Sequence, residues 1–197
     1  MSANSQLMER WRRDELAGPA LRIARRLLGQ VLVAQGAGGP RRGRIVEVEA
    51  YLGPHDAASH SRMGPTARNA PMFGPAGHAY VFLVYGMHHC FNVTTGGGAA
   101  VLIRGLEPVG ALGACDGPGK LARALGVTTA DSGLPLDGPR FGLERAAFVP
   151  SRLVARGPRI GVDYAGAWAA RPYRLFVRGS AGVSRGDGRR VLPVQRG

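Results

Sequence analysis

The sequence holds one lysine, Lys120, among 26 basic residues, so almost all of its positive charge is arginine. A single side-chain amine leaves little room for Schiff-base chemistry, which needs such a nucleophile. Acids are also scarce: 13 Asp and Glu stand against 26 Lys and Arg, a net charge of +13. The two cysteines, Cys90 and Cys115, form no CxxC pair, which argues against a zinc ribbon or a disulfide scaffold. His55, His60, His78, His88 and His89 show no HExxH or other helical ligand spacing, so no metal site is expected. In GACDGPGKL (113–121), Leu121 follows the lysine where a phosphate loop needs Ser or Thr, which disfavours an NTPase. No apolar run is long enough to span a membrane, and MSANSQLMERWRRDEL lacks the apolar stretch of a signal peptide. The expectation is a cytoplasmic protein with no membrane partner.

What remains is globular. Hydrophobic residues make up 45% of the 197 and charged residues 20%, which fits one domain with a sizeable core. The basic excess, with a pI of about 11.3, favours a polyanionic partner, nucleic acid being the commonest. Anionic membrane surfaces and ribosomal assembly compete with that reading. Arginine forks suit phosphate bidentately.

Patterning predicts a helix over 19–29, with Leu21, Ala24, Leu27 and Leu28 on one face and Gly29 as its stop. Strands follow at 30–35 and 44–52 around a turn at 36–43. Residues 53–77 read as a long functional loop, with a helical turn at HDAAS. Strands are predicted at 78–86, 87–95 and 99–108, with Gly86 at a hairpin end. A helix spans 116–126, with Pro118 early and Gly126 as stop. Residues 127–150 read as irregular, and 152–166 and 173–179 as strands. The tails, 1–14 and 181–197, are expected to be loosely ordered. The whole is a single α+β domain over 1–197.

In IVEVEAYL (45–52), Glu47 and Glu49 stand two apart, so a strand places both on one face together with Tyr51. The plain account is a solvated face. The scarcity of acids, and the long loop that this strand enters, point instead to a pocket. Arg104 ends the apolar VLIR and needs a carboxylate partner if buried; Glu49 is a candidate. Asn92 sits in an apolar strand, where a polar residue usually bonds locally. Tyr51, Tyr80, Phe82, Tyr85 and Phe91 read either as core or as a platform for stacked bases. Tyr85 beside Gly86, followed by Met87 and His88, has the form of a wedge between base pairs. Lys120 at the 116–126 helix start is either a solvated lysine or part of a phosphate site.

Five ordered blocks carry a resemblance. RGRIVEVEAYLGPHDAASHSR, RNAPMFGPAGHAYVFLVYGMHHCFNV, VLIRGLEP, GPGKLARALG and RIGVDYAG…RPYRLFVRGS are similar to the alkyladenine (3-methylpurine) DNA glycosylases of base-excision repair, from about Leu21 to Ser180. The resemblance implies a curved antiparallel sheet with flanking helices, a protruding hairpin that enters the DNA minor groove, and no cofactor. It implies double-stranded DNA holding damaged purines as the partner, and a monomeric protein near a bacterial nucleoid.

By this resemblance Glu49 is the general base that activates a water, and Arg104 helps to hold that water. The carbonyl of Ile160 is a further water contact. Tyr51, His60 and Phe82 hold the flipped base, and Asn92 excludes guanine. Tyr85 fills the gap left in the duplex, with Met87 and His88 beside it. Arg62 and Arg68, in a loop one residue shorter than the family's, are approximate DNA contacts, and Lys120 joins them as a phosphate contact from its own place at a helix start. Phe82 stands where mammalian members carry Tyr, keeping the stacking surface and losing a hydroxyl. Arg104 is expected to keep Glu49 ionised by lowering its pKa, and Glu47 to form a structural ion pair. With one lysine, the expected enzyme is monofunctional and leaves an intact abasic site. The rivals are a non-catalytic basic nucleic-acid-binding protein of this fold and a formyltransferase-like β-domain acting as a binding module.

Overall fold

The computed structural model describes residues 9–184. Eight strands form one sheet: β1 (Val31–Gly36), β2 (Gly39–Tyr51), β3 (Ala79–Val84), β4 (His88–Gly96), β5 (Ala99–Val109), β6 (Phe141–Glu144), β7 (Val154–Gly157) and β8 (Arg174–Val177). Every pairing is antiparallel, in the order β3-β4-β5-β2-β1-β6, with β8 joining β2 and β7 joining β8. The helices are α1 (Ala20–Leu27), the four-residue α2 (Ala70–Phe73) and α3 (Pro118–Leu125). The α+β expectation holds.

The long strand β2 organises the sheet. Its first half pairs with β1, its second half with β8, and β5 lies along its other edge. The register with β5 shifts on both sides of Glu47, a bulge. An extra residue at a bulge changes which side chains share a face. Ile45 and Val48, three apart, therefore both enter the main core. That core lies between the sheet and α1 and α3, and includes Leu27, Phe91, Ile103, Leu121 and Phe141. Ala20, Ile23, Ala24 and Leu27 form the buried stripe of α1, and Leu21 of the predicted face is only partly buried. In α3, Pro118 opens the helix and Gly126 closes it at φ +66. Left-handed backbone suits glycine because it has no Cβ to clash.

Several expectations fail for local reasons. The turn expected over 36–43 shrinks to Ala37 and Gly38, because pairing runs on to Gly36 and Gly39. Within the supposedly irregular 127–150, Phe141–Glu144 is a fully buried strand on β1. All four residues are buried, so the strand has no alternation of apolar and exposed positions to read. The strand expected over 152–166 lasts only from Val154 to Gly157. Pro158 then removes a ladder donor, and a 3-10 segment follows at Asp163–Trp168. HDAAS forms consecutive hydrogen-bonded turns and no helix.

The tails expected to be loosely ordered, 1–14 and 181–197, are described only in part. Within 9–14 the neighbours of Trp11 are exposed, but Trp11 itself anchors the chain: it is 1% exposed, its backbone N–H donates to the Leu143 carbonyl, and its indole N–H donates to Gln30. At the other end Ser184 is buried against Glu47. The rest of both tails lies outside the described residues.

Candidate active site

β2 delivers Glu47, Glu49 and Tyr51 to one side of the sheet, and both carboxylates are fully buried. The solvated-face account fails. Glu49 Oε1 accepts the Ile160 N–H at 2.7 Å and lies 3.5 Å from Arg104 Nε. Its Oε2 accepts the Tyr51 hydroxyl at 2.9 Å. Burial raises the pKa of Glu49; Arg104, the Ile160 amide and Tyr51 oppose that without cancelling it. This corrects the expectation that Arg104 brings a net lowering: its pull is present, and desolvation outweighs it. Burial also pushes Tyr51 well above its usual range, and the neighbouring Glu49 adds to it. Glu47 carries the ion pair expected of it, with Arg104 Nε at 3.4 Å and an Arg174 guanidinium N–H at 2.9 Å.

Above this floor opens a cavity of about 730 Å³. Of the predicted site residues, Tyr51, His60, Arg68, Phe82, Tyr85, His88, Asn92, Arg104, Lys120 and Ile160 line it. Such a cavity matches a buried small ligand in size. Glu49 is not in its wall and lies beneath, behind Tyr51 and Ile160. Arg62 lines a smaller cavity on the far side of His60 instead. Met87, exposed at the hairpin tip, lines neither.

One wall is aromatic. His60 packs edge-on against Phe82 with ring centres 4.4 Å apart, and its Nδ1 pairs with the Tyr80 hydroxyl at 2.8 Å. Burial, with help from Arg68, lowers the His60 pKa, so the ring is neutral at physiological pH. Burial pushes Tyr80 up to about 12, which keeps its hydroxyl protonated. The Arg68 guanidinium lies over Phe82 at 5.6 Å and donates to the Leu83 carbonyl. Asn92 is buried on β4, where its amide donates to the Tyr80 and Cys90 carbonyls, the local bonding expected of a polar residue in an apolar strand. Burial pushes the neighbouring Cys90 thiol up to about 11.

The opposite wall is held by an ion pair that the sequence did not single out. Arg159 and Asp56 are both buried and meet through two bonds of 2.5 and 2.9 Å. Burial pushes Asp56 up, yet Arg159 and the amides of Leu52 and Ala58 prevail and hold it below its ordinary value. The same guanidinium stacks on Tyr51 at 4.7 Å and bonds the Ala50 carbonyl. One residue further on, Ile160 meets Glu49. Tyr164 bridges the two segments of this wall by donating to the Ala58 carbonyl. No residue type or spacing marked Arg159, Asp56 or Tyr164, because their partners are about a hundred residues away. Tyr80 had a signal: it shares a strand face with Phe82.

At the rim, β3 and β4 turn through Tyr85, Gly86 and Met87. Tyr85 is 86% exposed and has φ +52, the sole positive φ among the described non-glycine residues. Lys120 sits at the start of α3 and pairs with Asp116 at 3.0 Å. Among the described residues no cluster of His, Cys, Asp or Glu is arranged to hold a metal. No described helix is long and apolar enough to cross a membrane.

Comparison with known proteins adds the following. Residues 14–181 match the family described as Methylpurine-DNA glycosylase (MPG). A protein of Myxococcus xanthus (strain DK1622), provisionally named 3-methyladenine DNA glycosylase, is 56% identical over 176 residues, covering 86% of this chain and 91% of its own length. Proteins of the same provisional name from Rhodopseudomonas palustris (strain HaA2) and Bacillus cereus (strain G9842) are 44% and 43% identical. They cover 88% and 85% of this chain, and 89% and 95% of their own lengths.

Proposed function

This chain belongs to the methylpurine-DNA glycosylase family, a hydrolase of N-glycosidic bonds in damaged DNA, and from that premise we propose how its residues do the work. An alkylated or deaminated purine flips out of the duplex into the 730 Å³ cavity, because a stacked base is out of reach. Tyr85 fills the vacated space, with Met87 and His88 beside it. Tyr51, His60 and Phe82 hold the base, and Asn92 stands where guanine's exocyclic amine would press. Cationic lesions gain about 0.5–2 kcal/mol from the aromatic faces, and a neutral His60 adds no repulsion. Arg62, Arg68 and Lys120 meet phosphates, Lys120 by exchanging Asp116 for one.

The observation that carries this reading is Glu49, a buried carboxylate directly under an aromatic cavity in a chain of net charge +13. A carboxylate offers about four lone-pair sites. Tyr51 and Ile160 use two, and Arg104 faces Glu49 as an ion-pair partner at 3.5 Å, which leaves room for a water that Glu49 can deprotonate. That water attacks C1′ as the glycosidic bond breaks. The buried negative charge also favours the cationic sugar of an oxocarbenium-like transition state. Arg104 and the Ile160 backbone, amide and carbonyl, fix the geometry.

Lys120, the sole lysine, is engaged by Asp116 at 3.0 Å, which supports the reading that the product is an intact abasic site. The test is a duplex with a single hypoxanthine, ethenoadenine or 3-methyladenine, incubated with the protein and then treated with alkali or with borohydride. Strand cleavage after alkali, with no borohydride-trapped adduct, is expected. A trapped adduct contradicts the monofunctional reading, and no cleavage on any lesion favours a non-catalytic DNA binder.

A further inference from the structure

The residues just beyond the family match, which ends at 181, reach the floor of the site. Gly182 packs directly on β5: a Cβ on Gly105 would drive into the Gly182 carbonyl, and one on Gly182 into the Leu106 carbonyl. This backbone-on-backbone approach needs glycine on both sides. It delivers Ser184, whose N–H donates to Glu47 Oε2 at 2.6 Å and whose hydroxyl donates to Oε1 at 2.9 Å. The same hydroxyl accepts from Arg104 at 3.4 Å.

Glu47 is thus bonded by Ser184 twice, by Arg174 and by Arg104. Arg104 Nε carries one proton and lies 3.4 Å from Glu47 and 3.5 Å from Glu49, so the two carboxylates compete for it. We propose that Ser184 and Glu47 are positioning residues: the segment 180–184 satisfies Glu47 from behind, so that Glu47 shares Arg104 with Glu49 instead of drawing it wholly to itself. Remove the Ser184 hydroxyl and Glu47 draws Arg104 to itself, leaving Glu49 less stabilised as an anion. Remove the Glu47 charge and Arg104 turns fully to Glu49, while a like charge nearby disappears. The two changes act on Glu49 in opposite directions, which a role confined to folding does not predict.

The groups that face Glu49 are Arg104 on β5, Glu47 and Tyr51 on β2, Arg174 on β8 and Cys90 on β4. Arg159, Asp56 and Tyr164 complete the shell. Ser184→Ala and Glu47→Gln leave all of these except Glu47 itself unchanged.

The inference rests on Glu49 as the base, so the test carries a readout that does not need turnover. The chain has six glutamates, and 13C-carboxyl labelling with Glu49→Gln as reference identifies the Glu49 signal. Its titration midpoint is followed in wild type, Ser184→Ala, Ser184→Thr and Glu47→Gln, beside the pH dependence of single-turnover cleavage. In Ser184→Ala the midpoint and the acidic limb should rise together by about half a unit or more, with KM unchanged. In Glu47→Gln both should fall, and Ser184→Thr should restore wild-type behaviour. An unmoved Glu49 midpoint in both variants, or shifts of one sign in both, overturns the proposal. If the midpoints move as expected but the wild type cleaves no lesion, the hydrolase reading fails and the coupling stands.

Discussion

Glu49 is held in a position that costs stability, which fits the role of base proposed for it. Its folded-state pKa is raised above the usual 4.5 by burial. At pH below the unfolded value the group is protonated in both states and carries no penalty. As pH rises towards the folded value the unfolded chain releases its proton first, and stability falls. Glu49→Gln should therefore raise Tm at neutral pH, with a smaller gain near about pH 4, as thermal melts at both pH values will show. An equal or larger gain at the acidic pH contradicts the burial of an anion. Tyr85 gives a second prediction of this kind. Its φ of +52 costs a non-glycine residue about 1 kcal/mol. Tyr85→Gly should leave the protein equally stable or slightly more so, while its affinity for a lesion duplex falls. Lost stability in chemical denaturation would show that Tyr85 supports the fold itself.

Among the elements, the wall segments 53–62 and 158–168 are joined to each other through Arg159 and Asp56, and Arg159 also bonds the Ala50 carbonyl of β2. Breaking a buried pair by removing one partner leaves an uncompensated charge, at a cost of about 3–5 kcal/mol. Asp56→Ala should lower the denaturation free energy by that amount. A loss under about 1 kcal/mol would mean that the pair is not buried in solution. Because Asp56 is held below its ordinary value, its contribution is present at neutral pH and is lost as pH falls through that depressed pKa. The sequence let β2, β4 and β5 be read from apolar patterning, and α3 from Pro118 and Gly126. It set Glu49 and Tyr51 on one face because strands repeat every two residues. β6 is buried on both faces and so shows no alternation, and the wall's ion pair joins segments that no local pattern connects. Ser184 was hidden for the same reason, in a tail whose composition reads as loose.

For the whole molecule, the charge of +13 overstates the grip on DNA. Several arginines are tied to backbone carbonyls: Arg25 to Val149, Arg26 to Glu15, Arg41 to Ala124 and Arg44 to Gly29. Others pair with acids, as Arg145 does with Glu15 and Arg140 with Asp131. Binding to duplex DNA should thus weaken with salt at a log–log slope of about −4 to −6, a handful of phosphates, and not near the full charge. A flat response would remove the phosphate contacts assigned to Lys120, Arg62 and Arg68. The central claim is that this basic shell brings DNA to one buried base. Its most direct test is the single-turnover cleavage rate of a single-lesion duplex by wild type and by Glu49→Gln, with binding measured in parallel. Glu49→Gln should bind the duplex as wild type does and cleave it at least about a hundredfold more slowly. Equal rates from the two proteins would contradict the account.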